Sequence, residues 1–376
     1  MQKRIKVLAA FSLIENANEF YWYAQYLDKN KFELTCIFYT PSVSKIQNEI
    51  SLLGIDCYLI KYHGKKNIFS AFVQTCKLLL KLKPNIVHAQ LFDASFIMLT
   101  AAWLLRFKNR VHTRHHSDIH HKYHLQAIKY DKWINFLSKK IICPSEQIKS
   151  FLTSKENVNI NINKITVIPH GFDFTCLQNG MLQKYNVKEK YNINGFPIIG
   201  CVSRFTEWKG VQFIIPAFKR FLDYYPNSLL VMAGYKGDYE NNIFELLKQI
   251  PESNYRLIEF EKNNAALFSN FDIFIHVPIS TTAETFGQTY VEAFAMSIPS
   301  IITLSGIAAD DKTFCEYAEV VRYMNTDDIF NALSKITQNM DDYKKKMAVA
   351  STIIKNKYNF NNKIISIENE YLSFNK

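Results

Sequence analysis

Short apolar runs alternate with longer amphipathic stretches along almost the whole chain. Runs at Ile5–Phe11, Phe32–Tyr39, Ile55–Ile60, Ile86–Gln90, Val111–Arg114, Lys140–Cys143 and Ile165–Ile168 read as strands. Between them, Glu19–Leu27, Ser44–Leu53, Ile68–Leu82, Ala94–Leu105 and Glu146–Thr153 read as helices. The second half repeats the rhythm, with strands at Pro197–Val202, Leu229–Gly234, Arg256–Phe260, Asp272–Val277 and Ile298–Leu304. From Phe330 the chain is helical, and its last helix covers Lys363–Tyr371. Alternation of this kind predicts parallel, doubly wound sheets that bind ligands at their carboxyl edges, here in loops such as 11–18, 90–93 and 113–118.

A chain of 376 residues suits two domains, and 48% hydrophobic content supplies a core for each. A first domain over 1–180 is followed by a polar, Asn- and Lys-rich linker at 181–196 and a second domain at 197–357. The segment 358–376 forms a terminal helix.

The charge balance, 45 basic against 34 acidic residues, leaves +11. That favours anionic partners: nucleotide sugars, phospholipid surfaces or nucleic acid. No nucleic-acid recognition motif accompanies it. The seven cysteines are scattered without a C-x-x-C pair, which fits free thiols in a reducing compartment. The basic start Met1–Lys6 and the apolar run Val7–Ile14 read as a first buried strand rather than a signal peptide. The apolar region Phe96–Leu105 stops at Arg106, short of the ~20 residues a membrane span needs.

Candidate chemistry concentrates in Ala283–Ile302. Glu284 and Glu292 stand eight apart, and Thr285-Phe286-Gly287 reads as a turn into a helix. Eight residues on a helix span about 12 Å, enough to grip two hydroxyl-bearing parts of one elongated ligand. The amides of Phe286 and Gly287 at the helix start form an anion site. The competing reading is an amphipathic helix with solvated acids. Upstream, Ser203-Arg204 ends a strand and Lys209-Gly210 follows. These are either two surface cations or a preorganised pair that neutralises a departing diphosphate.

The cluster HTRHHSDIHHKYH holds His112, His115, His116, His120, His121 and His124. His116, His120 and His124 share one face if the segment is helical. Zinc needs further ligands, and neither HExxH nor a nearby Cys supplies them. A polar loop and helix start accounts for His112, His120, His121 and His124.

Taken in order, these stretches resemble glycosyltransferase family 4, retaining enzymes of GT-B fold. The resemblance rests on Arg204 with Lys209-Gly210, the strand Asp272–Pro278, and Glu284, Phe286-Gly287 and Glu292. It implies two Rossmann-like domains facing each other across a cleft, with the C-terminal helix returning to the N-terminal domain. It implies a nucleoside diphosphate sugar as donor, a glycan or lipid-linked acceptor, and neither cofactor nor metal.

Glu292 would hold the ribose; Arg204, Lys209 and the Phe286 and Gly287 amides the diphosphate; Glu284 and His115 the transferred sugar. His116 is the alternative to His115. Ser203, Gly234 and Gly306 would line the donor site, the last through its backbone amide. Family members often carry a glycine pair after the first strand, where this chain reads Glu15-Asn16-Ala17-Asn18-Glu19. His170 replaces the Asn of the family's Pro-Asn-Gly-Val-Asp turn, and Ser305-Gly306 keeps one glycine of a usual two.

The expected activity is hexosyl transfer in cell-surface polysaccharide synthesis. The place is cytoplasmic, at the inner membrane face, with peripheral membrane contact through Lys-flanked apolar helices such as Phe69–Leu82. A non-hydrolysing sugar-nucleotide epimerase shares the architecture, and a basic nucleic-acid-binding protein is the alternative outside enzymes. Glycoside hydrolysis by Glu284 and Glu292 leaves Arg204 and Lys209 without a role.

Overall fold

The structure is a computed structural model that describes residues 4–15, 17–116, 118–156, 158 and 164–375. Asn16 and Ser117, which fall in two of the expected ligand loops, lie outside the described residues, as do the first three residues. The chain forms two compact units, Met1–Phe172 with Phe360–Lys376, and Asp173–Asn359.

In the first unit, seven parallel strands run in the order β3-β2-β1-β4-β5-β6-β7. They are β1 (Ile5–Ser12), β2 (Phe32–Thr40), β3 (Asp56–Lys61), β4 (Ile86–Gln90), β5 (Arg110–Thr113), β6 (Lys140–Cys143) and β7 (Ile165–Val167). Five β4 residues in a row are buried, which a strand shows only when helices cover both faces of its sheet. The helices start where side chains accept backbone N–H groups: Ser44 from Gln47, and Ser145 from Ile148.

The last helix, Phe360–Leu372, belongs to this first unit, as the resemblance implies. Its Tyr371 hydroxyl lies 2.7 Å from that of Tyr23 and 2.5 Å from His88 Nδ1. Its Glu368 accepts the Asp28 N–H at 2.9 Å.

The second unit holds six parallel strands in the order β10-β9-β8-β11-β12-β13. They are β8 (Ile198–Val202), β9 (Leu229–Ala233), β10 (Tyr255–Ile258), β11 (Ile273–His276), β12 (Ser300–Ile302) and β13 (Glu319–Val320). β9, LLVMA, is buried throughout.

Three expectations change here. The stretch 181–196 is no free linker: it carries helix Lys184–Lys190 and falls in the second unit, whose start moves up to Asp173. Val187 and Ile193 bury against Ile198, Leu229 and Phe271, and that apolar contact holds the segment down despite its polar composition. His116, His120 and His124 do not share a helix, because the local helix is only Ile119–Tyr123. His112 is not a polar-loop residue but a buried member of β5, its Nδ1 2.9 Å from Ser95 Oγ.

Candidate active site

The carboxyl ends of β8, β11 and β12 bring Lys209, Glu284, His276 and Ser305 together. β8 runs into Ser203 and Arg204, then a short 3-10 turn at Glu207–Lys209. Gly210 closes that turn at φ +74°, and a Cβ there would lie 1.9 Å from the Val277 carbonyl oxygen. Only glycine lets this loop lie against the end of β11. The Ile279 N–H donates to the Trp208 carbonyl at 3.1 Å across the same seam.

This close approach delivers Lys209 to Glu284. Nζ lies 2.5 Å from Oε1, and His276 Nε2 at the end of β11 lies 2.7 Å from the same oxygen. Ser305 Oγ accepts the Glu284 N–H at 3.0 Å and fixes its backbone. Burial alone would raise the Glu284 carboxyl, but the Lys209 charge and the His276 hydrogen bond draw it down to about 2. His276 is itself held below the usual imidazole range by burial. Its Nε2–H therefore donates, and its buried Nδ1 has no hydrogen-bond partner among the described residues. His276 is absent from the sequence expectations. Its only signal there is a polar residue closing the apolar strand Ile273-Phe274-Ile275.

Glu284 and Glu292 do not lie on one helix. The helix runs Gln288–Ala295 with Gly287 at its N-cap, φ +87°, so Glu284 sits in the preceding loop. A Cβ on Gly287 would meet the Tyr290 ring at 2.5 Å. The reversal at Gly287 sets aside the 12 Å helical spacing. It also makes Gln288 the first helical residue, so the Phe286 and Gly287 amides precede the helix.

Burial of Glu292 pushes its carboxyl up to about 7, only partly countered by the Asn264 side-chain hydrogen bond. Arg204 is exposed, and no acid pairs with it among the described residues. Gly234 follows β9 at φ +77°, and a Cβ there would lie 3.9 Å from the Ser203 backbone. The Gly306 amide donates to the Thr281 carbonyl at 2.9 Å. It is therefore not the free phosphate donor expected of it, because the loop spends that N–H on its own closure.

The first unit places His115 at the carboxyl end of β5. Its Nε2–H donates to Gln90 Oε1 at 3.1 Å, and its ring stacks on His170 with centroids 5.8 Å apart. Burial drives it down to about 3, so it is a neutral imidazole at physiological pH. Its neighbour Arg114 is fully buried and anchors the loop: Nη1 reaches Asp131 at 3.1 Å and Nη2 reaches Glu156 at 2.6 Å. Sequence reasoning singled out neither acid, since both are remote in the chain.

Among the described residues, two groups of side chains converge as metal ligands would. Glu19, His115 and His170 form one, but Lys363 Nζ already contacts the Glu19 carboxylate and lies 3.2 Å from His170 Nδ1. An ammonium thus holds the place a cation would take. His116 and His120 form the other, 2.9 and 2.6 Å from the two oxygens of Asp131. Zinc bonds of about 2 Å would hold tetrahedral ligand atoms about 3.3 Å apart, so these are hydrogen-bond spacings.

The fold and the cluster at the carboxyl edge of the second sheet define a GT-B-type α/β protein. The chain belongs to glycosyltransferase family 4. A family described as "Glycosyl transferases group 1" matches residues 183–345, and "Glycosyltransferase Family 4" matches residues 21–175. An uncharacterized glycosyltransferase of Methanocaldococcus jannaschii is 30% identical over 145 residues, 38% of this chain and 34% of that protein. The match spans about a third of that relative's length. The alpha-monoglucosyldiacylglycerol synthase of Acholeplasma laidlawii is 25% identical over 294 residues, 70% of each.

The fold is shared with a Rickettsia africae glycosyltransferase (TM-score 0.80, 19% identity, 99% of each chain). It is shared too with Anabaena HepE in complex with UDP-glucose (TM-score 0.80, 13% identity, 98% of this chain and 100% of that one). A UDP-GlcNAc 2-epimerase of Neisseria meningitidis superposes less closely, at TM-score 0.65, with 17% identity over 98% of this chain and 100% of that one.

Proposed function

We propose that this glycosyltransferase moves a hexose from a nucleoside diphosphate donor to a glycan or lipid-linked acceptor, with retention at the anomeric carbon and without a metal ion. The Lys209–Glu284–His276 cluster carries the reading. It holds a cation and a fixed carboxylate in contact across two neighbouring loops, with exposed Arg204 in the strand-end loop that leads to Lys209.

Arg204 and Lys209 take the diphosphate charge that develops as the bond from the anomeric carbon to phosphate breaks. Glu284 accepts hydroxyls of the transferred sugar, and Glu292 those of the ribose. Ser203 and Gly234 border this site, and the amides around Phe286 and Gly287 add to the phosphate contacts. His115 contributes a neutral imidazole to the sugar. The acceptor hydroxyl attacks on the face the diphosphate leaves, its proton passes to the departing phosphate oxygen, and the products are the glycoside and the nucleoside diphosphate.

The bound UDP-glucose of the Anabaena neighbour supports a nucleotide-sugar donor. The lipid in the Acholeplasma relative's name supports an amphiphilic acceptor. Exposed Phe69 and Leu80 share the segment 65–82 with exposed Lys66, Lys77 and Lys81, and exposed Leu104 precedes Lys108. They support peripheral contact with an anionic membrane, at the inner face of the cell membrane, in cell-surface polysaccharide synthesis. Among the described residues no helix is long and apolar enough to cross a membrane.

The test is NMR of the product formed from a labelled sugar nucleotide. A new glycoside with the donor's anomeric configuration supports the reading. A sugar nucleotide returned with one inverted centre would identify an epimerase instead.

A further inference from the structure

Two cysteines stand side by side at one edge of the first sheet. In the β2–β3 register, Cys36 of β2 pairs directly with Cys57 of β3. Directly paired residues of parallel strands point to the same face of the sheet, and neighbouring strands run about 4.8 Å apart. That spacing falls inside the roughly 4.4–6.8 Å between Cα atoms that a disulfide requires. Two other strand cysteines have different neighbours: Cys143 stands opposite Val167, and Cys201 opposite Met232.

The two thiols differ in access and in acidity. Cys36 lies on an interior strand, between β3 and β1, and is fully buried. Cys57 lies on β3, the last strand of the sheet on that side, and is partly exposed. A hydrogen bond from Cys36 draws the Cys57 thiol below its usual range, against the effect of burial. The same bond, with burial, pushes the Cys36 thiol well up. The thiolate is the attacking species in thiol chemistry. The sulfur that solvent can reach is therefore the one that ionises first, and its partner waits beside it as a protonated thiol.

We propose that Cys36 and Cys57 form a reversible modification site, closed to a cross-strand disulfide by a low-molecular-weight disulfide. The Cys57 thiolate attacks one sulfur of the small disulfide, breaks its S–S bond and releases one small thiolate. Cys57 is left as a mixed disulfide. Cys36 gives its proton to the released thiolate, attacks the Cys57 sulfur and expels the second small thiolate, which takes up the proton that Cys57 had lost. Two protein thiols are oxidised to one disulfide, and one small disulfide is reduced to two thiols. An excess of small thiol runs the same steps backwards. Lys209, Glu284 and His276 take no part, since they belong to the other unit, and the site stands whether or not the transferase reading does.

The test is incubation of the full chain with glutathione disulfide, then alkylation, trypsin and mass spectrometry. Lys45 lies between the two cysteines, so trypsin places them on different peptides. The expected result is a link between the Cys36 and Cys57 peptides of one chain, undone by dithiothreitol. In Cys36→Ser, Cys57 is expected to stop at the glutathione adduct. In Cys57→Ser, Cys36 is expected to take glutathione at least tenfold more slowly than Cys57 does in the first variant, because it is buried. Exposed Cys315 reports in every sample that the oxidant is active. An adduct on Cys315 with Cys36 and Cys57 both left as thiols would overturn the site. So would a Cys57 adduct that persists in the wild type without passing to Cys36, or a link that joins Cys57 to any other cysteine. The wild-type peptide map decides these outcomes by itself, and melting of each variant shows whether its rate may be compared.

Discussion

Lys209 and Glu284 lie 75 residues apart in sequence, yet Nζ and Oε1 are 2.5 Å apart. The contact joins the loop after β8 to the loop after β11, so the cation proposed for phosphate and the carboxylate proposed for sugar are set by one ion pair. In the proposed site, removing Lys209 therefore has two effects: it deletes a charge from the phosphate contacts and frees the Glu284 carboxylate from its ion pair. Lys209→Ala and Glu284→Gln are each expected to lower transfer by about 10²–10³-fold, with the fold kept and Tm below the wild type at neutral pH because the buried pair is broken. Steady-state kinetics beside thermal melting checks this.

The same pair has a signature in acid. The folded Glu284 carboxyl sits near 2, below the usual value of 4.5. Its contribution to stability is present above about pH 4.5 and is lost as pH falls towards 2. Melting of Glu284→Gln is expected to fall less steeply than wild type across that window.

Glu292 runs the other way. Its carboxyl is raised to about 7, so the folded state favours the neutral acid. Stability from this group is present below about pH 4.5 and is lost as pH rises through 7. Glu292→Gln is accordingly expected to gain Tm relative to wild type at pH 8 and not at pH 4. If the ionised carboxylate is what accepts the ribose hydroxyls, nucleotide affinity should rise between pH 6 and 8 in the wild type and stay flat in the variant. His115, already neutral above about 3, adds no titration in that range.

His276 is buried behind Glu284 and hydrogen-bonds its carboxylate at 2.7 Å. His276→Phe keeps a ring beneath Tyr290, whose centroid lies 4.8 Å away, and removes the hydrogen bond to the carboxylate. Losing one charge-assisted bond of about 1.5–3 kcal/mol corresponds to roughly tenfold or more in rate. The positioning role is read from an upward shift of the Glu284 carboxyl by NMR, which a packing defect alone would not produce.

How far the sequence carried depends on range. The strands were legible because buried parallel strands such as β4 and β9 are apolar without interruption. Arg204, Lys209, Glu284 and Glu292 stand out in the sequence because their spacing lies within single strand–loop–helix segments, and the structure brings Lys209 and Glu284 of these into contact. The Arg114–Asp131–Glu156 anchor and the Lys363–Glu19–His170 contact were not legible, since each joins residues brought together only by the folded sheet. The helix reading across Glu284 failed for a local reason: Gly287 at positive φ reverses the chain just before the helix. Residues 181–196 looked like a linker because two apolar side chains, Val187 and Ile193, hold a segment whose composition is otherwise polar.

Gly210 offers a test of the architecture itself. Its φ is +74°, and a Cβ added there would lie 1.9 Å from the Val277 oxygen, so Gly210→Ala must shift backbone on both sides of the seam. A loss of about 2 kcal/mol or more in urea unfolding is expected, with activity falling further than stability because Lys209 moves with the loop.

The most direct measurement is a thermal-shift panel of UDP, GDP, ADP and CMP with their sugar conjugates, without added metal, on wild type and Lys209→Ala. A ligand at 100 times its Kd adds about 2.7 kcal/mol of stability. A rise in Tm from one nucleotide family, lost in a folded Lys209→Ala, is the expected result and names the donor base. No rise from any nucleotide, or a rise undiminished in the variant, would contradict a donor site built on Lys209 and Glu284.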